Sequence, residues 1–116
     1  MPQFLIAIHR SLDYDPAIAE NAAMTQEIGD LNKAMRSAGI IVFVGGLMPP
    51  GSAKSIRIQA NGEMHIKQGL YLDSNEHVGG FWVVETPGLD EASSWGKKAA
   101  IACRAPVEVR PFHSRA

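Results

Sequence analysis

The sequence predicts an α+β sandwich, with two helices on one face of a mainly antiparallel sheet. Three observations predict it. Strand-like and helix-like runs follow in the order strand, helix, strand, hairpin, strand, helix, strand. The first strand-like runs are apolar at odd and even positions alike, which suits strands buried on both faces. The two long helical runs each carry a single apolar stripe.

Residues 3 to 9, QFLIAIH, form the first strand and suit a central place in the sheet. SLDYDP then turns the chain and starts a helix, with Asp15 as N-cap and Pro16 at the first helical position. Over residues 16 to 38, Ile28, Leu31, Met35 and Ala38 make one stripe that extends back through Ala22 and Ile18. Gly39 stands where a helix commonly ends in a left-handed residue. IIVFVGG, residues 40 to 46, reads as a second buried strand, broken by LMPPG.

KSIRIQANGEMHIKQ is a hairpin whose register follows from its side chains. A two-residue Asn61-Gly62 turn would set Ile58 against His65 and Arg57 against Ile66, mixing polar and apolar groups on both faces. A three-residue loop, Ala60-Asn61-Gly62, pairs Ile58 with Met64, Ile56 with Ile66, Arg57 with His65 and Ser55 with Lys67. That leaves one clean apolar face and puts Gly62 in the left-handed position. GGFWVVE, residues 79 to 85, is the next strand, and LDEASSWGKKAA, residues 89 to 100, a helix. Asp90 and Glu91 in its first turn and Lys97 and Lys98 in its last match the helix dipole, with Ala92, Trp95 and Ala99 inward. PVEVRPF, residues 106 to 112, alternates as a final strand. Two helices cover only one side of such a sheet. A second copy of the chain is the simplest cover for the other, so a homodimer is expected.

The 116 residues suit one domain, 1–116, and 46% apolar with 20% charged residues is ordinary for a globular protein. A formal net charge of −1 supplies no field for nucleic acid or an anionic membrane, and neither is expected as a partner. No apolar run is long enough to cross a bilayer, and MPQFLIAIHR lacks the features of a secretory signal. Cys103 is the single cysteine, which excludes an internal disulfide and argues against a Cys-based zinc site. A cytoplasmic protein is expected. Gly45-Gly46 and Gly79-Gly80 lack the strand-to-helix context and the lysine of a phosphate loop, so they read as close strand approaches or bulges, and no cofactor is expected.

FLIAI, AGIIVFVGGLMPP, SIRI, GGFWVVE, LDEASSW and VEVRPF, in that order and spacing, make the chain resemble the YCII-related family, and within it the DGPF-domain branch. The resemblance implies a ferredoxin-like fold that pairs into a dimeric α/β barrel. Some family members stand beside or are fused to sigma factors, and some are thought to be enzymes. The branch's Asp-Gly-Pro-Phe motif falls on Gln68-Gly69-Leu70-Tyr71, where the glycine and an aromatic ring are kept. Enzyme-like members carry a His on the first helix and an Asp near the end of the second. Residues 16 to 38 contain no His and Lys97-Lys98 stand at the second place, so that pair does not transfer.

Residues 68 to 77 are the candidate site. A plain connection between the flanking strands needs only a few residues, and this one concentrates Tyr71, Asp73, Glu76 and His77. These could supply an acid, a base and an orienting hydroxyl to a small ligand, from a rim over the cleft of the dimer. The alternative is a surface loop whose polar groups serve its own backbone. His65 flanks the insert, and His9 closes the first strand as a further cleft candidate. His65, His77, Asp73 and Glu76 are legitimate metal ligands, but no HxH or HExxH spacing is present, and no metal is expected. Arg57 opposite His65 reads either as an anion-binding spot or as a solvated face. Trp82 and Trp95 lie on apolar stripes and read as core or interface anchors. Three function classes stay open: a small-molecule enzyme or binding protein, a protein-interaction or regulatory module, and a dimeric scaffold without catalytic activity.

Overall fold

The structure, a computed structural model, describes residues 1–114. A four-stranded antiparallel sheet has the order β2-β5-β1-β6, with β1 at Gln3–Ser11, β2 at Ile41–Gly46, β5 at Glu76–Glu85 and β6 at Val107–Pro111. A separate two-stranded hairpin joins β3 (Lys54–Ile58) to β4 (Met64–Gln68). The helices are α1 (Pro16–Ala19), α2 (Ala22–Ser37) and α3 (Leu89–Cys103). Leaving the hairpin aside, strand–helix–strand–strand–helix–strand with this order is the ferredoxin-like arrangement. The sheet is open, not a closed barrel.

Periodicity places the core. Phe4, Ile6 and Ile8 of β1 and Trp82 and Val84 of β5 point to the helices, where they meet Leu31 and Met35 of α2 and Ala92, Ala99 and Cys103 of α3. Each of the larger aliphatic and Phe side chains taken from water is worth about 1.5–3 kcal/mol. Trp82 is 1% exposed, and its indole N–H donates to Asn32 Oδ1 at 2.7 Å, so its one polar atom is satisfied. Gly96 lets α3 lie close on the sheet, since a Cβ there would stand 2.6 Å from Val109 Cγ2.

The helix expected over residues 16 to 38 is two helices. Asp15 caps α1 through Ala17 N at 3.0 Å, as anticipated, but Glu20 is extended and Asn21 starts α2 by accepting from Met24 N at 2.9 Å. A short amide side chain competes with the backbone inside a helix and satisfies it at a start, which breaks the run there. The stripe shifts with the break. Met24, Leu31 and Met35 are buried, while Ile18, Ala22 and Ala38 are exposed. Gly39, at φ +70°, ends α2, with Ile40 N donating to Met35 O at 3.2 Å and Gly39 N to Arg36 O at 3.0 Å. This is the paired capping that a left-handed residue permits.

The run at 40 to 46 forms an edge strand, not a doubly buried one. Val42 and Phe43 are 50% and 54% exposed, and the ladder to β5 slips at Val42. The strand expected from residue 79 starts at Glu76 and so takes in Glu76 and His77. α3 runs to Cys103, beyond the expected residue 100, so Lys97 and Lys98 lie before its last turn. The hairpin register is as argued: Arg57 opposite His65, Ile56 opposite Ile66, Ile58 opposite Met64 and Gly62 at φ +89°.

The chain is flat, with extents of 49 × 44 × 17 Å and a radius of gyration of 16.2 Å. A compact chain of this length would have roughly 13 Å. Two features account for the excess. The hairpin packs chiefly on itself, and among the described residues the sheet face away from the helices bears no second layer. That open face carries Leu5, Phe43, Phe81 and Val83, with the Phe43 and Phe81 rings 5.7 Å apart.

Candidate functional site

Two glycine pairs shape one end of the sheet. Gly80 brings β5 against β2 so closely that a Cβ would sit 3.0 Å from Gly45 O. The ladder of β1 and β5 slips beside it, pairing Ile8 with Gly80 and His9 with Val78, which leaves Gly79 as the extra residue. No side chain stands on Gly79, and the Arg10 stem occupies the space, since a Cβ would lie 2.6 Å from Arg10 Cγ. The pairs therefore act as the close approach and the bulge their sequence context suggests.

The Arg10 guanidinium is held by two contacts. Its Nη1 donates to the Cys103 carbonyl at 2.8 Å, and its guanidinium carbon lies 4.1 Å from the centroid of the Tyr14 ring. Arg10 and His77 are direct cross-strand partners. All three line a cavity of about 280 Å³ at the end of the sheet. Its walls are Ile8, Val44 and Trp82 from the strands, Ile28 from α2, and Leu47 and Met48 after β2. Glu20, in the break between α1 and α2, also lines it, and Cys103 reaches it from α3. Burial pushes the Cys103 thiol up from its ordinary value, an effect that the nearby Arg10 charge partly opposes. The Tyr14 hydroxyl is buried and has no hydrogen-bond partner among the described residues. No carboxylate lies within ion-pair distance of Arg10 among the described residues. A guanidinium in the wall of a largely apolar cavity, with no carboxylate within ion-pair distance among the described residues, can receive an anionic group.

The six candidates drawn from the sequence are divided among separate hollows. His77 lines the main cavity, half-buried, with Nδ1 3.2 Å from the Val78 carbonyl. His9 and Glu76 share a shallower hollow on the other side of Arg10 and Tyr14, and His9 Nε2 stands 3.8 Å from Glu108 Oε1. Asp73 lines a groove with Leu70, Leu72 and Ser74. Tyr71 folds back over the polar side of the hairpin, where it meets His65. The structure thus joins Tyr71 to His65 and Glu76 to His9, and keeps His77 and Asp73 apart from both pairs. Among the described residues, no three His, Cys, Asp or Glu side chains gather where a metal ion could be held.

Sequence reasoning missed Arg10, Tyr14 and Glu20. One signal was present: HRSLDYD places a cation at the end of a central strand and an aromatic ring four residues later, across a turn. That signal becomes specific only once Gly79 is known to lie opposite.

The YCII-related domain model matches residues 4–113. The chain belongs to the YCII-related family. None of the curated proteins compared with it matches. The family match spans the sheet, both long helices and the hairpin, so the hollow beside Arg10 lies within the domain. No helix among the described residues is long and apolar enough to cross a membrane.

Proposed function

We infer that this YCII-related protein binds a small organic acid in the cavity beside Arg10. The observation that carries the reading is the Arg10 guanidinium in the wall of a largely apolar cavity, with no carboxylate within ion-pair distance of it among the described residues. Apolar walls from Ile28, Val44, Leu47 and Trp82 would hold the body of the acid, and Arg10 its carboxylate. His77, the cross-strand partner of Arg10, supplies an acid–base group at the same wall.

The binding unit is a homodimer within this proposal. Leu5, Phe43, Phe81 and Val83 form an apolar band on a sheet face with no layer over it, and a second copy covers it by two-fold symmetry. The apolar side of the hairpin, with Ile56, Ile58, Met64 and Ile66 all more than half exposed, adds to the surface awaiting cover. A cytoplasmic setting fits the buried thiol of Cys103.

Two experiments test the reading. Benzoate should raise the melting temperature of the protein and neutral benzamide should not, and Arg10→Gln should abolish the benzoate effect. Equal stabilisation by benzamide, or an unaffected Arg10→Gln, would sink the anion reading. Light scattering should give twice the mass of the 12.5 kDa chain, and Phe81→Glu should return it to the monomer value. A monomeric wild-type protein at micromolar concentration would refute the dimer.

A further inference from the structure

The register of the hairpin has a consequence for its polar face. Ser55, Arg57 and Gln59 of one arm and His65 and Lys67 of the other share that face, since Arg57 pairs with His65 and Ser55 with Lys67. Lys67 is then the diagonal neighbour of Arg57, within reach of a long side chain. Cations placed this way across a ladder repel one another, and like charges on facing strands destabilise a sheet. The described residues provide no relief, because neither Arg57 nor Lys67 has a carboxylate within ion-pair distance.

The chain after β4 closes a wall over this face. Gly69, at φ +100°, turns the backbone, donating from its N–H to Ala53 O at 2.7 Å and accepting at its carbonyl from Ser55 Oγ at 2.6 Å. Gln68 Nε2 donates to the Gly51 carbonyl, which pins the same turn from the other side. Tyr71 is thereby laid on the polar face, where its hydroxyl accepts from Arg57 and its ring centroid lies 5.0 Å from the guanidinium carbon. The result is a hollow of about 270 Å³ lined by Ser55, Arg57, Gln59, His65, Lys67 and Tyr71, without an acidic residue.

We propose that this hollow is a second ligand site, which binds a small oxyanion: the phosphate or carboxylate group of a metabolite. Arg57 provides the forked donor, oriented by Tyr71, and Lys67 and His65 close on the same group from the facing strand. The site is separate from the cavity at Arg10 and shares no lining residue with it. Its volume is close to that of the cavity at Arg10 and near the lower end of ligand pockets, roughly 300–1,000 Å³, which suits a small metabolite.

The probe is inorganic phosphate, titrated into the full-length protein at constant ionic strength while backbone amides are followed by NMR, with acetate as a second series. Phosphate or acetate should shift the amides of Arg57, His65 and Lys67 together and saturably. The tighter of the two identifies the source of the group. Arg57→Gln should weaken binding about tenfold, the value of one charge-assisted hydrogen bond. Arg57→Lys should fall between wild type and Arg57→Gln, because it keeps the charge and loses the fork. Lys54→Gln is the control, since it removes the same charge from the same hairpin outside the hollow. Absence of saturable shifts, or equal loss in Lys54→Gln and Arg57→Gln, would overturn the proposal.

Discussion

Gly79 leaves open the space that Arg10 fills: a Cβ on this glycine would lie 2.6 Å from Arg10 Cγ. The absence of one side chain on β5 thus sets the position of a cation that starts on β1, and with it the stacking on Tyr14 and the bond to the Cys103 carbonyl. The clash would fall on the root of the Arg10 side chain and not on its mobile end, so it cannot be relieved by a change at the guanidinium.

Gly79→Ala should therefore expel Arg10 from the cavity wall. Overpacking of this kind costs about 1–3 kcal/mol. Urea denaturation should show that loss, and benzoate should no longer raise the melting temperature. Unchanged stability together with unchanged benzoate binding would mean that Arg10 does not depend on the glycine.

Gly96→Ala sets two effects against each other. Alanine favours a helix interior over glycine by about 1 kcal/mol. Here its Cβ would stand 2.6 Å from Val109 Cγ2 and push α3 off the sheet. The contact should win, with a net loss of roughly 1–2 kcal/mol in chemical denaturation. A more stable variant would show that the helix and sheet can separate without cost.

Asn32→Ala should strand the indole N–H of a tryptophan that is 1% exposed. Leaving a buried donor unpaired costs about 1–3 kcal/mol. The measurement is the denaturant midpoint, with Trp82→Phe as second arm, because that change removes the donor with most of the ring kept. In the Trp82→Phe background, Asn32→Ala should cost distinctly less.

Cys103 gives a pH dependence of defined sign. It is 1% exposed, and burial raises its thiol above the ordinary 9.0. The folded chain holds a proton that the unfolded chain releases. The stability contributed by the thiol is therefore complete below pH 9.0 and is lost as pH climbs toward the raised folded value. Compared with Cys103→Ala, the wild-type protein should lose stability more steeply from about that pH upward. Parallel curves for the two proteins across the alkaline range would contradict it.

Much of this arrangement was readable in the residues. Alternation of apolar side chains decided the hairpin register, because a shift of one residue would have turned Arg57 and His65 to the apolar side. Two-parity apolar runs marked β1 as central, and its partners β5 and β6 lie on either side. The same rule misplaced β2, which has a similar composition but lies at an edge, since composition reports that both faces are apolar and not which chain covers them. The break at Glu20-Asn21 was missed because a good cap inside an apolar stripe looks like one more polar position until the backbone commits to it.

Local side-chain chemistry by itself determined the order of the strands and the two long helices, the turn at Gly62, the cap at Gly39 and the polar face of the hairpin, since each depends on neighbours a few residues apart. Only the tertiary structure decided that Arg10, Tyr14, His77 and Cys103 share one cavity and that Tyr71 covers Arg57. Those meetings rest on contacts across strands and on the bulge at Gly79: the glycine pair signals a close approach or a bulge, but only the folded sheet sets Arg10 opposite His77.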